Sequence, residues 1–381
     1  MAHPSKLILW LRHFFYTMRV NTKLLQRSLQ YLHGITKQDK IAVLHHTDPD
    51  GICSGVLVAK AVERLRGRKI DLRVNQKGTE HAILDATISR LKKKKINKLI
   101  TTDLMVDKNK TQLHKLATFA DVLVLDHHPY FGSKHPRIIV AKPQVLYGDK
   151  KPNSYPASKF CYDILKRVVE MVDLDWMAAI GVITDGAFKR WKVFLKTVLK
   201  KHHLKYDPDP FKTAIGNAGR ILHAAELYSE RNVPKGYAVV YQATSVQDII
   251  KSPLVKYRRA VRKELDYWLK HTKKYAEVNE ACNLIYYELS QKYNVKGPVA
   301  TILSLQHPHM TVVTLSTTSK YAYISGRRQD GKIDMNKLFQ SALKGLPEAA
   351  GGGHPPAAGG RLLKKDLQRF KSNLVRILCK K

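Results

Sequence analysis

A chain of 381 residues exceeds one typical hydrophobic core, so the sequence predicts two domains joined by a connecting segment. Hydrophobic content of 44% and charged content of 26% exclude a disordered or fibrous chain, and no stretch approaches the ~20 apolar residues of a membrane-spanning helix. Lys and Arg number 67 against 31 Asp and Glu, and the surplus of +36 is spread along the whole chain, which points to a polyanionic partner, nucleic acid ahead of a membrane surface.

In chain order, the apolar run Leu7–Leu11 is broken by Arg12 and His13, which predicts an amphipathic helix rather than a signal peptide. Residues 1–37 thus read as an N-terminal helical extension of a cytoplasmic protein. From residue 38 to 190, short β-branched runs alternate with helical patterns, the mark of stacked βαβ units and a parallel sheet. The predicted strands are Ile41–His45, Ile70–Val74, Leu99–Asp103, Val122–Asp126 and Arg137–Val140, with helices over Ser54–Arg66, Leu113–Phe119 and Ala157–Met171. Residues 191–281 lack strand alternation and read as a helical connector, with an exposed helix over Leu254–Tyr275. Residues 282–381 return to strand character at Asn283–Leu289, Val299–Leu305, Thr311–Ser316 and Tyr321–Ser325, and Lys364–Leu378 reads as a terminal helix. The fold class is therefore α/β: a parallel-sheet domain, a helical connector and a second, smaller α/β domain. Cys53, Cys161, Cys282 and Cys379 stand far apart with no CxxC pair, which suggests neither a zinc knuckle nor a disulfide framework and fits a reducing compartment.

Ligands of an open parallel sheet bind beyond the carboxyl ends of its strands, so polar residues there are the candidates. Three strand ends close on acids and imidazoles: His45-His46-Thr47-Asp48-Pro49-Asp50-Gly51, Thr102-Asp103 and Asp126-His127-His128. A fourth acid, Asp185, follows the apolar helical segment Ala178–Thr184. One Asp at a strand end is most often a helix cap or turn former. Several together are costly to bury unless cations neutralise them, and oxygen and nitrogen donors without thiolate favour Mn²⁺ or Mg²⁺, with Co²⁺ also compatible.

These motifs resemble the DHH phosphoesterase superfamily. Asp126-His127-His128 is similar to its naming motif, His46-x-Asp48-x-Asp50-Gly51 to its first, Asp103 to its second and Asp185 to its fourth. Gly351-Gly352-Gly353-His354 resembles the glycine-rich motif of the DHH-associated substrate-binding domain, and Ser325-Gly326-Arg327 its Ser-x-Arg strand. The likeness covers about residues 38–190 and 282–378, and within the family it is to archaeal RecJ-like exonucleases. It implies two divalent ions, most readily Mn²⁺, in an active site in the cleft between the domains. One ion would be held by His46, Asp48 and Asp103, the other by Asp50, Asp103, His127 and Asp185, with Asp103 as the bridge. His128 would contact the scissile phosphate and Asp126 would orient an imidazole. Ser325, Arg327, Gly351 to Gly353 and His354 would hold substrate phosphates, the glycines as a loop whose amides cradle them.

The function expected from the resemblance is metal-dependent exonuclease hydrolysis of single-stranded DNA or RNA, alone or with a replication or repair protein partner. An oligoribonucleotide or cyclic-dinucleotide phosphodiesterase is the alternative, and a non-catalytic replication scaffold is a weaker one because every ligand position is filled. His45 reads as a packing residue, His202, His203, His307 and His309 as exposed, and Trp191, Tyr257 and Trp268 as core aromatics rather than base-stacking platforms. Lys189, Arg190, Lys192, Arg258, Arg259 and Arg262 are candidates to line a path for a strand.

Overall fold

Apolar runs buried on both faces build the first sheet of this computed structural model, which describes residues 20–77 and 83–379. β1 (Ile41–His45) is buried at every position and pairs in parallel with β2 (Leu72–Asn75) and β3 (Lys98–Thr102), as a sheet covered on both sides requires. β4 (Asp121–Leu125) and β5 (Ile138–Ala141) complete the strand order β2-β1-β3-β4-β5, all parallel. The winding reverses between β1 and β3, so the loops leaving their carboxyl ends open the crevice where such sheets bind ligands.

Ahead of β1, helix α1 (Thr22–His33) packs Tyr31 inward, where its hydroxyl donates to the Leu99 carbonyl at 3.1 Å. The expected Leu7–Leu11 helix lies outside the described residues. Helix α2 (Pro49–Arg66) follows β1 directly: Asp48 caps it by accepting from the Gly51 N–H at 2.8 Å, Pro49 stands in its first turn, and Gly67 ends it in the left-handed conformation. It therefore begins five residues before the expected Ser54, which places Asp48 and Asp50 at its N-terminus. Helix α3 (Asp85–Lys93) and α4 (Lys110–Ala117) connect the later strands. Helix α5 (Ala157–Leu165) stops short of the expected Met171, and α6 (Asp175–Thr184) carries the apolar segment ahead of Asp185. Helices α7 (Lys192–Lys201), α8 (Ala214–Tyr228), α9 (Val233–Gln242) and α10 (Val255–Lys270) make up the region after Asp185. No helix among the described residues is long and apolar enough to cross a membrane.

The chain forms two compact units, one running to Glu226 and including Glu230–Val255, the other comprising Leu227–Ser229 and the chain from Lys256 onward. The second unit is built on a mixed six-stranded sheet in the order β10-β11-β9-β8-β7-β6. Its strands are β6 (Glu277–Asn279), β7 (Leu284–Glu288), β8 (Thr311–Thr317), β9 (Tyr321–Arg327), β10 (Ala350–His354) and β11 (Ala357–Leu363). Between β7 and β8 the expected strand Val299–Leu305 is instead helix α11 (Lys296–Gln306), with Val299, Ala300, Leu303 and Ser304 buried at helical spacing. A short apolar run carries no unique period, and the parallel pairing of β7 with β8 requires a crossover that a helix supplies.

Two further expectations give way to the structure. Gly351 to Gly353 form strand β10, not a loop, in antiparallel register with Gly360, Gly359 and Ala358. A Cβ on Gly351 would lie 2.5 Å from Leu343 Cδ1 of helix α12 (Met335–Leu343), and one on Gly353 would lie 2.2 Å from the Ala357 carbonyl oxygen. These glycines therefore admit a packed helix and a tight hairpin closed by Pro355-Pro356. Cys282 and Cys379, 97 residues apart, are joined as a disulfide with Cα atoms 4.6 Å apart, whereas their spacing led to no expectation of a disulfide. Cys53 and Cys161 are free and buried.

The second core centres on Phe339 and on Phe370 of helix α13 (Leu367–Leu378), both fully buried, with ring centroids 5.9 Å apart at 84°. Phe370→Ala should lower the stability of this unit by about 3–5 kcal/mol through lost burial and the cavity left behind. A melting transition of unchanged midpoint would show that α13 is not held by this ring.

Candidate metal centre

The loop after β1 turns back on itself so tightly that a Cβ on Gly51 would lie 2.5 Å from His46 Cβ, which restricts position 51 to glycine. This turn sets His46 Nδ1 3.0 Å from Asp48 Oδ2. Asp50 is fully buried, and its two oxygens accept from the Ala157 and Ser158 N–H groups at 2.7 and 3.0 Å, tying α2 to the N-terminus of α5. Gly181 of α6 gives that carboxylate room, since a Cβ there would stand 1.9 Å from Asp50 Oδ1.

Asp103 leaves β3 with φ +58°, a left-handed conformation that a non-glycine residue adopts at a cost of about 1–3 kcal/mol and that recurs at functional sites. The bend aims one carboxylate at two imidazoles: Oδ2 lies 3.6 Å from His46 Nδ1, and Oδ1 lies 3.3 Å from His127 Nε2. His127 Nε2 is also 3.7 Å from Asp185 Oδ2. Donor atoms of His46, Asp48 and Asp103 fall within 4.8 Å of one another, as do those of Asp50, His127 and Asp185, and those of Asp103, Asp126, His127 and His128. Asp103 belongs to two of these groups, so all eight residues singled out in the first domain are brought together around it.

Burial pushes the Asp103 carboxyl well above its ordinary range, and the charges of Asp48, Asp50, Asp185 and Asp126 push it further. Asp185 is raised by burial and then by Asp50 and Asp48. Asp50 is pushed up to about 6 by burial and by Asp48. Burial alone would lower His46, but the adjacent Asp48, with Glu226 and Asp50, overrides it and raises the imidazole to about 9. Among the described residues, no Lys or Arg forms an ion pair with Asp48, Asp50, Asp103 or Asp185; the ion-pair partners of Asp48, Asp103 and Asp185 are imidazoles. Clustered oxygen and nitrogen donors paired with imidazoles rather than with Lys or Arg fit divalent metal ions, which can take the place of an imidazole's proton.

Asp126 behaves differently. Burial opposes its ionisation, but Lys142 and His128 hold it well below the ordinary carboxylate range. Its Oδ1 accepts from the His127 and His128 N–H groups and sits 2.7 Å from His128 Nδ1, so an ionised Asp126 fixes the proton of His128 on that nitrogen. Lys142, at the end of β5 and fully buried, lies 2.8 Å from Asp126 Oδ2 and donates at 2.8 Å to Asp107 Oδ1 and to the Pro129 carbonyl. Asp107 in turn accepts from the Phe131 and Gly132 N–H groups. Lys142 was missed in the sequence because nothing local separates it from the many solvated lysines. Glu226 was also missed: it accepts from Thr47 Oγ1 at 2.7 Å across 179 residues, a distance in sequence that no motif spans.

In the second unit, Arg328 is locked by Asp330 and by Thr311 Oγ1, at 2.9 and 3.0 Å. Arg327 instead donates to Thr301 Oγ1 and to the Gly326 and Ala358 carbonyls, all neutral acceptors, and burial brings its guanidinium down to about 10. Of these two adjacent arginines, Arg327 is the one with no carboxylate ion pair among the described residues. Ser325 is buried on the same strand, and the Gly353 N–H donates to Asn336 Oδ1. His45 packs as expected, stacked on Tyr237 at 5.1 Å and lowered to about 3 by burial and Arg73. His202 departs from expectation, lying 2.5 Å from Asp175 Oδ1.

Replacing Lys142 with Met should cost about 3–5 kcal/mol by stranding Asp126 and Asp107 as buried uncompensated charges, and adding Asp126→Asn should recover part of it in a double-mutant cycle. Strict additivity of the two losses in chemical denaturation would contradict the ion pair. A second expectation concerns pH. The folded, cation-free chain keeps Asp50 protonated to about 6 against an ordinary 3.8, with Asp103 and Asp185 shifted the same way. The stability these raised groups contribute is complete below the unfolded value and is lost as the pH rises through about 6. Divalent cations replace those protons, so the rise in Tm on adding Mn²⁺ should be larger at about pH 8 than at about pH 5 in scanning fluorimetry. Equal shifts at both would argue against metal at these carboxylates.

The DHH family, N-terminal domain model matches residues 40–167 and the DHHA1 domain model matches residues 283–379. No curated protein matches the sequence. Among solved structures, the fold is similar to RecJ of Thermus thermophilus in complex with Mn²⁺, with a TM-score of 0.70 and 16% identity over 96% of this chain and 55% of that one. This chain thus spans about half the length of that relative. An exonuclease RecJ bound to manganese gives 0.68 and 18% over 94% of each chain, and Cdc45 from Entamoeba histolytica gives 0.56 and 11% over 92% and 98%. At such identities the structural likeness is one of fold. Together, the two domain matches and the shared architecture show that the chain belongs to the DHH superfamily of phosphoesterases, with a DHH domain followed by a C-terminal DHHA1 domain.

Proposed function

We propose that this protein is an exonuclease that hydrolyses phosphodiester bonds of single-stranded DNA or RNA with the help of two divalent cations, most readily Mn²⁺. The observation that carries the reading is the single Asp103 carboxylate facing His46 on one side and His127 on the other. His46, Asp48 and Asp103 would hold one ion, and Asp50, Asp103, His127 and Asp185 the other. Such a pair supplies an activated water and neutralises charge on the oxygens at phosphorus. His128 is assigned to the scissile phosphate, and Asp126 keeps its Nδ1 protonated so that the other ring nitrogen is presented in a fixed orientation. Arg327 and His354 are assigned to substrate phosphates, helped by Ser325 and by the backbone of Gly351 to Gly353. Arg327 suits this role because its charge is not neutralised by a carboxylate. The surplus of +36 favours a substrate with many phosphates over a dinucleotide.

End-labelled DNA and RNA strands from two to about twenty nucleotides, spanning typical site sizes, separate the readings. Catalytic efficiency should rise with length and fall with salt, with a log-log slope near −0.7 per phosphate contact. A maximum at two nucleotides without salt dependence would instead identify an oligoribonucleotide or cyclic-dinucleotide phosphodiesterase. Asp103→Asn should abolish turnover, and Arg327→Ala should raise KM about tenfold, the scale of one charged hydrogen bond, without loss of bound Mn²⁺. Undiminished turnover of Asp103→Asn would rule out the shared-carboxylate mechanism.

A further inference from the structure

The aromatic residues of α10 and of the turn that follows it divide by exposure. Tyr257 and Trp268 are buried, with the Trp268 ring edge-on to Tyr287 at 6.0 Å and its carbonyl accepting from Tyr287 Oη at 2.8 Å. Tyr267 and Tyr275 lie against the Trp268 ring, with centroids 5.2 and 6.3 Å from it, yet remain 46% and 43% exposed, a large aromatic surface to leave in water. Between them lies His271. The spacing 267, 271 and 275 keeps all three on one side of the helix, because the His271 N–H donates to the Tyr267 carbonyl and the Tyr275 N–H to the His271 carbonyl, carrying the helical path past the end of α10. The ring centroids of Tyr267 and His271 are 4.3 Å apart at 35°, and those of His271 and Tyr275 are 6.1 Å apart at 33°.

Exposed Lys263, Lys270 and Lys274 flank this row at the same helical spacing. The neighbouring acids are already engaged: Asp266 pairs with Arg262, and Glu264 accepts from the Lys292 and Tyr293 N–H groups. Glu264 and Trp268 also fix the helix to the body of its unit, so the row is presented on a rigid support. Successive rings flanked by unneutralised cations suit a ligand with repeating planar groups and repeating negative charge.

We propose that Tyr267, His271 and Tyr275, with Lys263, Lys270 and Lys274, form an accessory site for single-stranded nucleic acid, where bases stack on the rings and phosphates meet the lysines. The site rests on the nucleic-acid reading of function and extends it, because it binds a strand independently of hydrolysis. An acidic polypeptide satisfies the lysines but not the rings, which is why the strand is the assigned occupant.

The test uses the full chain in chelator, so that binding is read without cleavage. Fluorescence anisotropy with a labelled deoxythymidine strand of about twenty nucleotides should show Kd raised about tenfold or more in Tyr267→Ala/Tyr275→Ala, the scale expected for loss of base stacking. Tyr267→Phe/Tyr275→Phe should bind like the parent, and hydrolysis of a dinucleotide should be unchanged in both variants. A Kd within about twofold of the parent in the alanine variant, which removes the stacking loss expected per base, overturns the site. So does loss of poly-glutamate binding in that variant with strand binding retained. Absence of nuclease activity in the parent, with the tyrosine effect on strand binding present, would overturn the exonuclease reading and leave this site standing.

Discussion

A buried carboxylate turned back over the end of its own strand, with an imidazole on each side, governs the rest of the first unit. Asp103 occupies a left-handed conformation, sits 3% exposed and is crowded by four further acids, each of which makes its ionisation harder. Such a cluster persists in a folded chain at neutral pH only with protons or cations among the carboxylates. The surrounding structure is arranged to tolerate it. Gly51 closes the β1 turn against His46, Gly181 clears space for Asp50, and the N-terminus of α5 donates two amides to Asp50. The parallel sheet supplies the geometry, since its reversal between β1 and β3 brings His46 and Asp103 to the same crevice.

Set beside this cluster is a second polar network with the opposite electrostatic character. Asp126 and Asp107 are fully buried yet share the buried Lys142 ammonium, and Asp126 holds His127 and His128 by backbone and side-chain bonds. The site thus separates carboxylates that need an external cation from one that carries its own. This separation explains why Asp126, although adjacent in sequence to a ligand candidate, is better suited to orienting an imidazole than to holding an ion.

Much of the first unit was legible because its chemistry sits where its period changes. Strand runs end on His45, Thr102 and Leu125, and the next residues are the polar ones, so the motif positions and the strand boundaries reinforce each other. Lys142 and Glu226 were not legible, because each acts through a contact between segments remote in sequence. In the second unit the local signals were weaker. Val299–Leu305 is apolar enough for either period, and its β-branched Val299, Thr301 and Ile302 suit a strand although the segment is helical. The glycine run pointed to a loop because the crowding that demands it comes from Leu343 and Ala357, neither of which its own sequence reveals. The separation of Cys282 from Cys379 hid their pairing for the same reason.

The central claim is that Asp103 is shared by two cations, and electron paramagnetic resonance of the protein titrated with Mn²⁺ tests it most directly. The account predicts an exchange-coupled pair signal that develops as the second of two equivalents binds, replaced in Asp103→Asn by the signal of isolated ions. Saturation at one ion per chain, or two ions that remain magnetically isolated in the parent protein, would contradict it.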